Sequence, residues 1–347
     1  MTKVLDKVTL WRPPKSLLLR AHERNVTALT IEDKLIIIDP GVAFWQRDLL
    51  RHFPGIDEIW LTHAHPDHCA TVCNLQSQAG CKLFCSGHEK YVVQNPASFL
   101  RQEYKAAGSF KDEIFPRCLQ PLASVIQHAI YGNWPPAKVD ATFETLGMNR
   151  YGVQVLKLPG HTEGAVGFCL SDGDLRILLI GDLMQTRAGS EAVLAINLPR
   201  SNLDQAMSSL KTIKSMRPDI LVPAHGEFLR GADAIAAAIE KVMENYQAYG
   251  DRILQFIETR QEIPSLAQIA KSVVFPWPPN YTAAFTQRRA LVLAVLKSLC
   301  RQGRVSPGVK GLERVNTVLG QNESIATEGR RKHREAPKSF FVSYGLR

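Results

Sequence analysis

Thr62-His63-Ala64-His65-Pro66-Asp67-His68 gathers three histidines and one aspartate directly behind the apolar run Ile59-Trp60-Leu61. Neutral imidazole suits zinc and the other late divalent ions, and a carboxylate adds charge and geometric tolerance. The HxHxDH array therefore reads as a metal-binding loop at the end of a buried strand. Adjacent Asp67 and His68 cannot easily turn toward an ion held by His63 and His65. The four ligands then divide between two neighbouring ions, and the remaining ligands must come from elsewhere in the chain.

Outward from this loop the first two hundred residues alternate short β-rich runs with turn signals. VTALTIED (26–33) and KLIIIDPG (34–41) read as a hairpin, and EIWLTHAH (58–65), CKLFCSG (81–87), YGVQVLKLPGH (151–161) and LRILLIGD (175–182) as further strands. Four of these runs end in His or Asp. Side chains at strand ends converge on one rim of a sheet, where loops hold a reactive centre on a rigid scaffold. Three more ligand candidates stand in such places: His161 in Gly160-His161-Thr162, Asp182 after Gly181, and His225 before Gly226.

In this order the motifs resemble those of the metallo-β-lactamase superfamily: HxHxDH, a His in a GHT-like turn, an Asp after Gly, and a final His. The resemblance runs from about Leu10 to Arg230 and includes the opening Ile36-Ile37-Ile38-Asp39-Pro40-Gly41. It implies an α/β fold, a four-layer αβ/βα sandwich with a dinuclear site on the sheet rim. Carried over position by position, it assigns His63, His65 and His161 to one metal, Asp67, His68 and His225 to the other, and Asp182 to a bridge between them. The ions implied are two divalent transition metals, zinc first, with iron and manganese as alternatives.

Asp182 stands where antibiotic-hydrolysing zinc enzymes of the superfamily tend to have Cys, and His65 where the flavodiiron branch usually has Glu. The resemblance thus leads away from β-lactam hydrolysis and from O₂ or NO reduction, and toward hydroxyacylglutathione hydrolases (glyoxalase II) and lactonases. Many members read Asp-His-x-Gly-Gly, but here the chain reads Asp67-His68-Cys69-Ala70-Thr71. Cys69 reads as a buried structural thiol, and Asp39 as a residue that orients a loop or a ligand histidine. His52, His88 and His128 have no ligand-like context.

Residues 94–147 lack β-alternation and carry Phe99, Tyr104, Lys105, Phe110, Phe115, Arg117, Tyr131 and Trp134, which suggests a helical insertion over the rim. Tyr104, Lys105, Arg117, Tyr131 and Trp134 either hold an anionic or aromatic substrate or form the insertion's own small core. After Gly231 the pattern turns helical, with Ile235, Ile239, Val242, Met243 and Tyr246 on one face. SLAQIAKSVV (265–274) and RRALVLAVLKSLCRQ (288–302) give two more helices, and GRVSPG (303–308) a short wing. This resembles the winged helix appended to some superfamily hydrolases, including β-lactamase-like endoribonucleases. Arg288 and Arg289 either contact phosphate or solvate a helix face. The expected organisation is a catalytic domain over 1–230, a winged-helix-like domain over 231–315, and a mobile basic tail over 316–347.

Composition bounds the function. Across 347 residues, 45% are hydrophobic and 22% charged, which excludes a wholly disordered or fibrous chain. The net charge of +9 favours anionic partners, yet the tail alone supplies +3, with six basic against three acidic residues. Seven scattered cysteines and an N-terminus without an apolar run point to a reducing, cytoplasmic setting. No stretch nears the ~18 apolar residues of a membrane span, so an integral membrane protein is excluded.

The reading that follows is a metal-dependent hydrolase of a small ester or thioester, with Asp67 as the catalytic general base. Its partner is a small anionic or acyl substrate and not a membrane, and a homodimer is left open. A metallo-endoribonuclease or phosphodiesterase is the alternative, because the charge and the wing admit nucleic acid without favouring it. A winged-helix regulator that only senses a ligand comes third.

Overall fold

Burial alternates along the central strands: Ile36 and Ile38 pack on one face and Ile37 on the other, Trp60 on one and Ile59 on the other. Both faces being covered, these strands read as continuous apolar runs, as buried parallel strands do. The computed structural model describes residues 1–13, 24–115, 125, 128–186, 192–260, 264–273, 275, 285–308 and 311–313. Arg117, Cys118 and the expected tail over 316–347 lie outside the described residues.

The first sheet runs in chain order: β1 (Thr2–Lys3), β2 (Val8–Trp11), β3 (Val26–Ile31), β4 (Lys34–Ile38), β5 (Glu58–Trp60), β6 (Lys82–Cys85) and β7 (Ala141–Thr142). Strands β1 to β4 pair antiparallel, and β4 to β7 pair parallel. Next come β8 (Asn149–Arg150), β9 (Val153–Lys157), β10 (Val166–Asp172), β11 (Leu175–Leu179), β12 (Met184–Thr186), β13 (Ala192–Leu194), β14 (Ile220–Val222) and β15 (Leu229–Arg230). The second sheet has the order β15-β14-β11-β10-β9-β8, and β12 and β13 form a separate ribbon.

Between the sheets lies a core of Leu29, Ile36, Trp60, Phe143, Phe168, Ile177 and Val222, with Trp60 edge-on to Phe143 at 5.8 Å between ring centres. The outer face of the first sheet packs on Leu49, Val72, Leu75 and Val92 from its helices. The outer face of the second packs on Leu210 and Ile213 of the helix Leu203–Met216 and on Ile235, Ile239 and Val242 of the helix Ala232–Glu258. Helix, sheet, sheet, helix is the expected four-layer αβ/βα order. It brings the carboxyl ends of β5, β9, β11 and β14 to one rim.

Met1–Val315 form one compact unit. Within it the helices Ala232–Glu258, Leu266–Ser272 and Phe285–Arg301 share one apolar cluster with Leu178 and Leu210. A hairpin of β16 (Ser306–Gly308) and β17 (Gly311–Glu313) follows them. Arg289 neither reaches for phosphate nor solvates a face: it is buried, and its Nη1 donates to the carbonyl of Glu113. In the expected insertion, helices span Ser98–Ala107 and Lys111–Ile114, and the segment ends by adding β7 to the first sheet. No helix among the described residues is long and apolar enough to cross a membrane.

Candidate metal centre

Backbone geometry sets the ligands at the strand ends. After β5 the chain turns into the helix Pro66–Cys69, with His65 at its N-cap and Pro66 at the first helical position, where a missing N–H costs nothing. His63 and His65 thus precede a helix whose first turn carries Asp67 and His68. Beside Asp182, Gly181 has φ 54°, and a Cβ there would meet Thr62 Oγ1 at 2.6 Å. Beside His225, Gly226 has φ 91°, and a Cβ would fall 1.8 Å from the carbonyl oxygen of Thr186. Both turns require glycine.

All seven expected residues meet at one place. The ligand atoms of His63, His65 and His161 lie within 4.8 Å of one another, and so do those of Asp67, His68 and His225. Asp182 stands between the triads. Its Oδ1 is 3.4 Å from both His68 Nε2 and His225 Nε2, and its Oδ2 is 3.7 Å from His161 Nε2.

The histidine triad is held from behind. His161 Nδ1 lies 2.5 Å from the carbonyl of Ala195, so it donates there and leaves Nε2 facing His65 Nδ1 at 2.8 Å. Glu89, fully buried, accepts from the Ala64 N–H at 2.9 Å and from Thr162 Oγ1 at 2.7 Å, tying the HxH loop to the GHT turn. Burial, reinforced by neighbouring imidazoles, pushes His63 and His65 well below the usual histidine range, and burial also lowers His161. Three neutral imidazoles result. His63 Nε2 and Asp182 Oδ1 have no hydrogen-bond partner among the described residues, which is costly for buried polar atoms that no cation satisfies.

The second triad is rich in charge. His68 Nδ1 lies 2.9 Å from Asp39 Oδ2, short of hydrogen-bond geometry, while Asp39 accepts from Thr62 N–H and Thr62 Oγ1. Asp39 therefore faces a ligand histidine as expected. Burial and Arg24 push His68 down, yet Asp39, Asp182 and Asp67 outweigh them and hold it up to about 9. For Asp67 burial favours the neutral acid, but Arg24, His68 and His225 keep its carboxyl well below the usual range. Asp182 is lowered likewise, with burial opposing and His225 and His68 prevailing. Five imidazoles, two ionised carboxylates and orphaned inward-facing atoms are a donor set that fits two divalent transition metals.

A profile of the metallo-beta-lactamase superfamily matches residues 19–225. The chain belongs to this superfamily. It is 23% identical over 217 residues to the hydroxyacylglutathione hydrolase GloC of Haemophilus influenzae, covering 60% of this chain and 88% of that one. Among solved structures it resembles a metallo-beta-lactamase family protein of Thermus thermophilus, with TM-score 0.64 and 17% identity over 90% of this chain and all of that one. A beta-lactamase domain protein of Burkholderia ambifaria gives TM-score 0.63 and 20% identity over 90% and 94% of the two chains. Superfamily members are metallohydrolases, and the chain is an enzyme of that kind.

Other positions separate from the centre. Cys69 is buried, its Sγ donating to the carbonyl of His65, and burial raises its thiol well above the usual range. His52 packs on Trp11, and His88 and His128 are exposed. In the insertion Tyr104 stacks on Phe115 at 4.5 Å, and Tyr131 and Trp134 pack against the apolar cluster on the outer face of the first sheet. Phe99 does approach the ligands, its ring centre 5.3 Å from that of His65. Two residues at the centre carry no sequence signal, Glu89 and the fully buried Arg24. Arg24 Nη2 contacts Asp67 Oδ2 and lies 2.9 Å from His225 Nε2.

Proposed function

We propose that the chain hydrolyses a small ester or thioester at a dinuclear centre, as a hydroxyacylglutathione hydrolase or lactonase does. One observation carries the reading: the Asp182 carboxylate lies 3.4 to 3.7 Å from ligand nitrogens of both triads, where a single carboxylate serves two ions. In this reading His63, His65 and His161 hold one ion and Asp67, His68 and His225 the other. Bound there, two ions supply an activated water near neutral pH and a positive field for the oxygen that gains charge. Zinc is the first choice for such ligands.

Asp67 is the proton acceptor in this scheme. Its side chain keeps 14% exposure while that of His68 is fully buried, so of the two it is the one that meets solvent. The wall beside His65 is apolar, with Phe99 edge-on to Trp134 at 5.9 Å, which suits an acyl chain better than a nucleic-acid backbone. The 23% identity to a hydroxyacylglutathione hydrolase supports the same substrate class. The C-terminal helices and hairpin act as a winged-helix-like element that braces the second sheet. The free Cys69, Cys73, Cys81, Cys85, Cys169 and Cys300 fit a reducing, cytoplasmic setting.

The test is an assay with a hydroxyacyl-glutathione thioester, an aliphatic lactone and a single-stranded RNA, each with a chelator-treated control. Cleavage of thioester or lactone that chelation abolishes is expected. Turnover of RNA alone would transfer the centre to the nuclease reading.

A further inference from the structure

Arg24 starts from a fixed place. Its backbone forms a β-bridge with His225, and the next residue locks that pairing. The Asn25 N–H donates to Ala224 at 2.7 Å, and Asn25 Nδ2 donates to the carbonyls of Pro223 at 2.9 Å and Gly226 at 2.8 Å. Arg12 closes the clamp from outside, reaching Asn25 Oδ1 at 2.8 Å and Glu227 Oε1 at 2.7 Å. The register of the bridge, rather than a wandering side chain, delivers the guanidinium to the second triad.

Once there, it is fully buried, and its Nε and Nη1 have no hydrogen-bond partner among the described residues. Only Nη2 is used. An arginine nitrogen can only donate, so the 2.9 Å contact engages His225 Nε2 in the form that carries its ring lone pair, which is the form an ion also needs. Asp67 Oδ2 accepts from the same nitrogen. These are the lone pairs that an ion at the second triad needs. A guanidinium is permanently charged, so it opposes that ion electrostatically as well as sterically.

We propose that Arg24 is a built-in competitor for the second metal ion: an ion joins Asp67 and His225 only when Arg24 releases both, whereas the His63–His65–His161 triad binds its ion unopposed. Occupancy of the second triad is then graded by metal supply, and the chain passes from one ion to two as free metal rises. This rests on the dinuclear reading above.

The experiment titrates metal-stripped protein with Zn²⁺ against a competing chromophoric chelator, so that no turnover is measured. Wild type should bind in two steps, the second weaker by about tenfold or more. Arg24→Met should tighten the second step by about tenfold or more and leave the first within about threefold. Arg24→Lys, which keeps the cation, should leave the second step weak. Two wild-type steps of equal affinity would overturn the proposal, and so would a second step that weakens in Arg24→Met, because Arg24 would then support its ligands. Circular dichroism checks the fold of each variant. Should Arg24→Met not fold, the wild-type titration decides alone, since equal steps overturn the proposal and unequal steps sustain it. A wild type that binds no ion at either step removes the dinuclear reading itself, a result distinct from two equal steps.

Discussion

The two triads have equal numbers of ligands and opposite surroundings. His63, His65 and His161 are neutral imidazoles steadied by backbone and by Glu89, and no cationic side chain contacts them among the described residues. Asp67, His68 and His225 sit among carboxylates and share Asp67 and His225 with a buried arginine. Equal ligand counts therefore do not imply equal affinity. What sets affinity is which lone pairs are already used and what charge stands beside them. The first triad resembles a site preformed by its supports, the second one that must be won from a competitor.

The comparison is broken most directly at the residue the triads share. Asp182→Ala should release metal from both, leaving fewer than one ion per chain by elemental analysis and costing more than about 10⁴-fold in turnover. Retention of two ions would show that the triads are independent and that Asp182 bridges nothing.

Asp67→Asn separates them instead. The histidine triad should keep its ion while turnover falls by about 10²- to 10⁴-fold, the usual cost of a lost proton acceptor. Unchanged turnover would remove Asp67 from the proton-accepting role. Because the change also leaves the Arg24 cation without its carboxylate, the thermal midpoint should drop as well.

Glu89→Gln probes the other side. The carboxylate that joins Ala64 to Thr162 orients two ligand loops, so its neutral replacement should weaken the first-triad ion by about 10- to 100-fold. The second-triad step should not move. Equal weakening of both steps would mean that Glu89 supports the whole rim rather than one triad.

Ligands were legible in the sequence because each ends an apolar run and several stand beside a glycine, a local signal that survives without knowledge of the fold. Their supports were not. Glu89 sits in Gly87-His88-Glu89-Lys90, which reads as an ordinary first helical turn. Arg24 is one basic residue ahead of a strand, and its partner His225 is 201 residues away. Nothing local distinguishes a buried arginine from a surface one. Arg289 shows the same gap, since periodicity marks an apolar face but not the element packed against it. The four layers were readable for the converse reason: strand runs apolar on both faces demand helices on the outside.

The smallest expected effect concerns a buried carboxylate that, unlike Asp67, meets no cationic group closer than 4.0 Å among the described residues. Glu103 lies in the helix Ser98–Ala107, which carries Phe99 to the histidine triad. It accepts the Arg200 N–H at 3.1 Å, but the Arg200 Nε is 4.0 Å away, and Lys297 Nζ donates to the carbonyls of Ala106 and Pro199 instead. Burial therefore prevails over Arg200 and Lys297 and pushes Glu103 up from 4.5 to about 7. The folded state binds its proton more tightly than the unfolded one, so this contribution is fully present below about pH 4.5 and lost as pH rises through about 7. Above that, folding buries an ionised carboxylate at a cost of up to about 3 kcal/mol. Glu103→Gln keeps an acceptor for Arg200 and never ionises. Urea unfolding should find it more stable than wild type by about 1 to 3 kcal/mol at pH 8 and within about 1 kcal/mol at pH 5. The metal ligands titrate alike in both proteins, so the difference isolates Glu103. A glutamine variant less stable at pH 8 would mean that Arg200 and Lys297 hold the charge as closely as Arg24 holds that of Asp67, and the contrast between contact and distance would fail.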